Sequence, residues 1–173
     1  IALLADPLRV GDALPAVRPT VLPSVPRVYE KIYALVQSRF DQATGSKRKL
    51  IDWSLAVGRE VSRLDADGAA IPAGLRVKHR IADKLVFRKI LDRLGGRVRF
   101  VISGGAPLSA ELAAFFIGAG LDIYEGYGLT ETSPVIAINT PTHRRVGTVG
   151  RAIPGVEIKI AEETPHQYVV ETG

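Results

Sequence analysis

The chain has 173 residues, 46% hydrophobic and 24% charged, with no cysteine and a formal net charge of +5. That is one ordinary globular domain's worth of chain and composition. It excludes a disulfide framework and any thiolate metal site, and no stretch nears the roughly 20 apolar residues that span a bilayer.

Four prolines, Pro15, Pro19, Pro23 and Pro26, crowd residues 13–26. Proline disfavours helix interior, so extended chain is expected there. Thr20-Val21-Leu22 reads as a short buried strand, and Pro26 suits the first turn of a helix. Val28, Ile32, Leu35 and Val36 then share one helical face, with Phe40 close by. Gly45 is expected to end that unit. A second helix fits Leu50, Trp53, Val57, Val61 and Leu64, an apolar stripe of the kind that builds a core. Residues 65–74, rich in Asp, Gly and Ala, read as a loop. A third helix places Val86, Ile90 and Leu94 on one face, and Gly95-Gly96 stops it.

The second half changes character. Residues 98–102 form a β-branched and aromatic run typical of a buried strand. Ser103-Gly104-Gly105-Ala106-Pro107 is a turn. Ser109 is placed to cap a helix reaching about Gly118, with Glu111 favourable in its first turn. Residues 121–124 and 135–139 are further strands, separated by residues 125–134. The fold class is therefore α/β: a helical first half, then β-α-β elements of a parallel sheet. Ligands in such sheets bind at the carboxyl ends of strands. Both glycine-bearing segments leave strand carboxyl ends and are expected side by side.

Charge is unevenly spread. Residues 1–100 carry 19 Lys/Arg against 10 Asp/Glu, and residues 101–173 carry 4 against 8. A basic half attracts phosphorylated ligands or anionic lipid, although solvated helix faces are the simpler account. Lys47-Arg48-Lys49 is too short for a nucleic-acid arm, and no nucleic-acid partner is expected. His79, His143 and His166 have no metal-ligand spacing and are assigned surface or packing roles.

Two segments carry chemistry. Ser103–Pro107 alone is a structural turn, because it matches neither the phosphate-loop nor the dinucleotide pattern. Its paired glycines nonetheless let a flat ligand approach the backbone. Glu125-Gly126-Tyr127-Gly128-Leu129-Thr130-Glu131-Thr132 gathers an aromatic ring, two glycines, a hydroxyl and a carboxylate. The ring suits a purine face and the hydroxyl a phosphate oxygen. The carboxylate is the hard oxygen ligand that Mg²⁺ takes alongside substrate phosphates. A glycine-rich loop with a solvated acid is the other reading of the same residues.

The run Tyr-Gly-Leu-Thr-Glu-Thr resembles the signature loop of the adenylate-forming superfamily, which includes acyl-CoA synthetases, peptide-synthetase adenylation domains and luciferases. Ser-Gly-Gly-Ala-Pro-Leu at 103–108 resembles the adenine-side loop of that domain. Val146-Gly147-Thr148-Val149-Gly150, with Pro154-Gly155, resembles the segment after the signature. Arg18-Pro19-Thr20, Val25-Pro26-Arg27-Val28-Tyr29-Glu30-Lys31 and the helical stretch around Trp53 look like the long-chain fatty-acid branch.

The resemblance implies a two-step ligase using ATP, Mg²⁺ and CoA. A fatty carboxylate attacks the α-phosphate of ATP, and CoA then takes the acyl group from the adenylate. It implies that Gly104, Gly105 and Ala106 line the adenine site. Tyr127 would stack on the base, with Glu125 and Gly126 beside it. Thr130 would hold a phosphate oxygen and Glu131 the metal, these two being the catalytic residues. Gly128 and residues 146–150 would wall the acyl tunnel.

A Ser/Thr/Gly-rich phosphate loop, a Thr-Gly-Asp motif and the small C-terminal domain are not found in residues 1–173. The chain is therefore expected to be part of an AMP-binding domain, with the CoA site elsewhere. ATP or AMP and a long-chain fatty acid are the expected partners. A cytoplasmic location is expected, with attachment to a membrane surface open. The alternatives are a fatty acyl-AMP ligase that loads a carrier protein and a non-catalytic remnant.

Overall fold

The computed structural model describes residues 9–160 and the backbone of 168–171. The first element departs from the proline argument. Helix α1 (Val10–Val17) contains Pro15. Proline is tolerated because the helix ends two residues later, so little more than one hydrogen bond is forfeited. Arg18 closes it in the left-handed region, at φ 51°, its N–H donating to the Leu14 carbonyl at 2.9 Å. Strand β1 (Val21–Ser24) follows, half exposed instead of buried, because it lies at the end of the sheet.

Helix α2 (Pro26–Asp41) opens on its proline as expected and buries Val28, Tyr29, Ile32, Val36 and Phe40. Leu35 falls outside that stripe and is 51% exposed. Gly45 does not end α2. At φ 58° it turns the chain into α3 (Gly45–Ala66).

The inward face of α3 is also rotated from the apolar stripe. Ile51, Ser54, Val57, Gly58 and Val61 are buried, while Trp53 is 36% exposed. The cause is a close crossing with a later helix, α6 (Ala110–Gly118), at two glycines. A Cβ on Gly118 would sit 2.6 Å from the Gly58 carbonyl, so the two backbones meet where side chains would otherwise stand.

The loop at 65–74 shrinks to the few residues between Ala66 and α4 (Ala73–Ala82). A π-helical turn (Asp83–Phe87) joins α4 to α5 (Arg88–Arg93). Val86, Ile90 and Leu94 are buried, and Gly95 and Gly96, both at positive φ, stop the rod as expected.

Strand β2 (Phe100–Ser103) leads through α6 (Ala110–Gly118) to β3 (Asp122–Gly128). Ser109 stands at the N-cap of α6 but makes no side-chain cap bond. β1, β2 and β3 are parallel, the expected β-α-β arrangement. Strands β4 (Val135–Ile138) and β5 (Arg151–Ala152) then add antiparallel, so the sheet is mixed, in the order β1-β2-β3-β4-β5. The reversal follows from the short link between β3 and β4, which returns the chain as a hairpin; a parallel strand needs a long crossover. Strands β6 (Glu157–Ile160) and β7 (Tyr168–Glu171) form a separate antiparallel pair.

One core lies between α2, α6 and the sheet, around Tyr29, Val101, Phe116 and Leu121. Tyr29 meets Phe116 edge to face at 6.1 Å. The second core joins α2, α3 and the π-helical turn through Val36, Phe40, Val57 and Phe87.

Candidate functional site

The register of the parallel strands sets the site. Ser103, the last residue of β2, pairs with Glu125 on β3 and with Ser24 on β1. The turn after β2 therefore begins beside Glu125-Gly126-Tyr127-Gly128, and the expected adjacency of the two segments holds. The difference is that residues 125–128 continue β3 and are not a loop after it.

Gly104 donates its N–H to the Ser24 carbonyl at 3.2 Å. A Cβ there would come within 3.5 Å of the Gly126 carbonyl. Gly105 makes the turn at φ 82° and, like Ala106, is exposed.

Glu125 is the organising side chain. It is buried, with its two carboxylate oxygens accepting amide N–H groups from different segments. Oε2 takes Leu108 at 3.4 Å and Oε1 takes Gly147 at 3.3 Å. Charged acceptors strengthen such bonds. One carboxylate thus ties the turn after β2 to residues 146–150.

Asn139 completes the tie, and the sequence reading missed it. Its backbone N–H donates to the Glu125 carbonyl at 2.8 Å. Its side chain accepts from the Arg145 N–H at 3.0 Å and donates to the Thr148 carbonyl. The available signal was a polar residue closing an apolar strand, where a buried amide must find partners.

Arg144 pins the same segment from outside. It bonds Asp122 and Asp65, each at 2.6 Å, and lies 5.6 Å from the centre of the Tyr124 ring.

Beyond β3 a short 3₁₀ turn (Thr130–Thr132) is held by Thr132. Its hydroxyl accepts the Leu129 N–H at 3.0 Å and lies within hydrogen-bond distance of the Leu129 and Pro134 carbonyls. Thr130 and Glu131 are exposed, and their side chains make no hydrogen bond or ion pair among the described residues. Tyr127 and Gly128 are half-buried on β3. A Cβ on Gly128 would overlap the Pro134 carbonyl, and β3 shifts register between Tyr127 and Gly128. Ser103 leaves a buried hydroxyl with no partner among the described residues.

No group of three or more His, Cys, Asp or Glu gathers among the described residues. The lone exposed carboxylate of Glu131 fits Mg²⁺, which keeps most of its ligands as water and substrate phosphates. His79 packs, its Nε2 2.8 Å from the Gly118 carbonyl and its ring 5.6 Å from Phe87. His143 is exposed beside Thr142, and His166 lies outside the described residues.

The family model for AMP-binding enzymes matches residues 2–173. The chain belongs to the AMP-binding enzyme family. Within it, the chain is 42% identical over 169 residues to long-chain-fatty-acid–CoA ligase FadD15 of Mycobacterium bovis, covering 94% of this chain and 27% of that protein. It is 39% identical to the peroxisomal long chain acyl-CoA synthetase 6 of Arabidopsis thaliana, over 94% of this chain and 22% of that one. This AMP-binding chain thus spans about a quarter of the length of the curated relatives it matches.

The adenylation domain of a carboxylate reductase from Mycobacterium chelonae superposes with a TM-score of 0.58 at 23% identity, over 98% of this chain and 23% of that one. That likeness establishes the fold. No helix among the described residues is long and apolar enough to cross a membrane.

Proposed function

We propose that this AMP-binding chain forms the adenylate-side wall of an ATP-dependent long-chain fatty-acid–CoA ligase. The carrying observation is the Ser103–Glu125 register, which sets Gly104, Gly105 and Ala106 beside the strand bearing Tyr127. The identity to long-chain ligases supports the substrate class.

In the longer protein, the fatty carboxylate oxygen attacks the α-phosphorus of ATP. The bond to the β-phosphate oxygen breaks, pyrophosphate leaves, and acyl-adenylate remains. CoA thiolate then attacks the acyl carbonyl and AMP departs. Gly104, Gly105, Ala106 and Gly126 give the purine close backbone approach, and the Tyr127 ring covers its face. The Thr130 hydroxyl donates to a phosphate oxygen, and the Glu131 carboxylate would hold Mg²⁺. When bound, that ion supplies neutralising charge to the phosphates. Gly128 and residues 146–150 wall the acyl channel. Glu125 and Asn139 act through position, keeping the two walls in register. The fatty substrate resides in bilayers, and the enzyme works at a membrane surface.

Chain-length preference tests this reading. Each buried CH₂ adds about 0.8 kcal/mol, so four extra methylenes raise kcat/KM about 200-fold. Measured from octanoate to stearate in the longer protein, kcat/KM should climb at least as far as laurate or myristate. A maximum at octanoate, or a preference for a cinnamate-type acid, contradicts it.

A further inference from the structure

Residues 73–93 form one continuous rod of α4, the π-helical turn and α5. It carries seven Lys/Arg against Asp83 and Asp92. Among the described residues only Arg88 of the seven has an ionic partner, Asp83 at 3.9 Å. Large apolar side chains stand in water between these cations. Val77 is 55%, Ile81 47% and Leu85 40% exposed. They recur every four residues and so form one stripe along the rod.

The stripe does not end at Leu85. The same spacing continues through Lys89 and Arg93. With Leu85, these border a groove of about 670 Å³ whose far bank carries Leu35, Arg39 and Lys47. No Asp or Glu among the described residues lines that groove. An apolar floor with a rim of cations is complementary to an anionic amphiphile.

We propose that this face docks on an anionic lipid bilayer, Val77, Ile81 and Leu85 entering the headgroup boundary while the flanking cations meet lipid phosphates. A helix with an apolar stripe and Lys/Arg-rich flanks is the form that lies in such an interface. Docking against another protein domain is disfavoured, because interface cores are depleted of charged residues and Lys is rare there. The proposal rests on the acyl-ligase reading for its purpose, since it brings the enzyme to where long-chain acids reside. It does not depend on that reading for its test.

Flotation of this chain with vesicles of phosphatidylcholine, with and without phosphatidylglycerol, decides it. The chain should float with the anionic vesicles, and added salt should weaken that binding. Lys78→Glu, Arg80→Glu and Lys84→Glu together should lower the partition coefficient about 100-fold or more. Val77→Ser with Ile81→Ser should also lower it about 100-fold or more. All five positions lie outside the core, so circular dichroism should be unchanged.

Equal binding to uncharged vesicles, or unchanged partition in both variants, overturns the proposal. So does self-association abolished by Val77→Ser and Ile81→Ser in a chain that ignores vesicles. The chain has no cysteine, so Val77→Cys gives a single maleimide site. Rapid labelling in the longer protein, slowed by anionic vesicles, is expected. A site blocked without vesicles shows the face covered by protein and overturns the proposal. Flotation requires no ATP, so membrane binding retained by a longer protein that shows no adenylation activity would sink only the ligase reading.

Discussion

The sheet edge around residues 103–150 and the helical half around residues 26–93 are packed on different terms. At the sheet edge the close contacts are made by backbone. Gly104 abuts Gly126, Gly128 abuts Pro134, and Gly150, at φ 83°, leaves no room for a Cβ against Ile138 and Asn139. Buried polar groups, Glu125 and Asn139, then lock the loops. In the helical half the contacts are mainly apolar side chains on helix faces, as in the Val36, Phe40, Val57 and Phe87 cluster. The first kind of packing constrains residue identity position by position. The second constrains only an average face, and tolerates substitution accordingly.

The sharpest way to break this contrast is Gly128→Ala. The added methyl would overlap the Pro134 carbonyl and lie 3.0 Å from the Val135 Cα, neither of which can move aside as a side chain would. A loss of about 3 kcal/mol is expected in urea unfolding, the upper end for overpacking. A loss below about 0.5 kcal/mol would show that the turn after β3 adapts freely.

Asn139→Ala comes next. It strips partners from the Arg145 N–H and Thr148 carbonyl, and should cost about 2 kcal/mol. Hydrogen exchange should accelerate at residues 145–150 and stay unchanged in α3. Uniform acceleration across the chain would mean that Asn139 supports the whole fold and not this segment.

The smallest effect tests the junction of the two regions. The Tyr29 hydroxyl lies 2.9 Å from the Leu22 carbonyl and 2.8 Å from that of Ile102, joining α2 to β1 and β2. Tyr29→Phe should cost about 1 kcal/mol at neutral pH. Burial pushes the Tyr29 pKa upward from 10.0, so the folded chain keeps a proton that the unfolded chain releases. The stabilisation is complete below pH 10.0 and is lost as pH rises toward the folded value. Alkaline denaturation profiles should therefore be shallower for Tyr29→Phe than for the parent. Parallel profiles would show that the hydroxyl titrates as it does in the unfolded chain.

The same contrast explains what was legible in the sequence. The two glycine-bearing segments and their adjacency were readable, because a glycine-rich turn after an apolar run has few other meanings. Helices were readable from periodicity, but not their rotation. The 50-53-57-61-64 stripe suggested Trp53 inward, whereas the Gly58–Gly118 crossing turns Ile51 and Ser54 inward, and that crossing is set by a residue far along the chain. The helix through Pro15 was hidden because proline's cost falls on few bonds in so short an element. The antiparallel return of β4 was hidden because an apolar run carries no direction. Asn139 and Arg144 were missed because their partners lie in other segments, which single-residue chemistry does not reveal.

In the proposed site, the turn after β3 presents Glu131 to a nucleotide's phosphates. Fatty-acid-dependent exchange of labelled pyrophosphate into ATP, measured for Glu131→Ala in the longer protein, tests it most directly. Glu131 is exposed and free of hydrogen bonds or ion pairs among the described residues, so the variant should unfold at the parent's temperature. Exchange should fall by about 100-fold or more, the scale of losing one preorganised charge-stabilising group, with partial recovery as Mg²⁺ is raised. An unchanged exchange rate at low Mg²⁺ in a folded variant would contradict the claim.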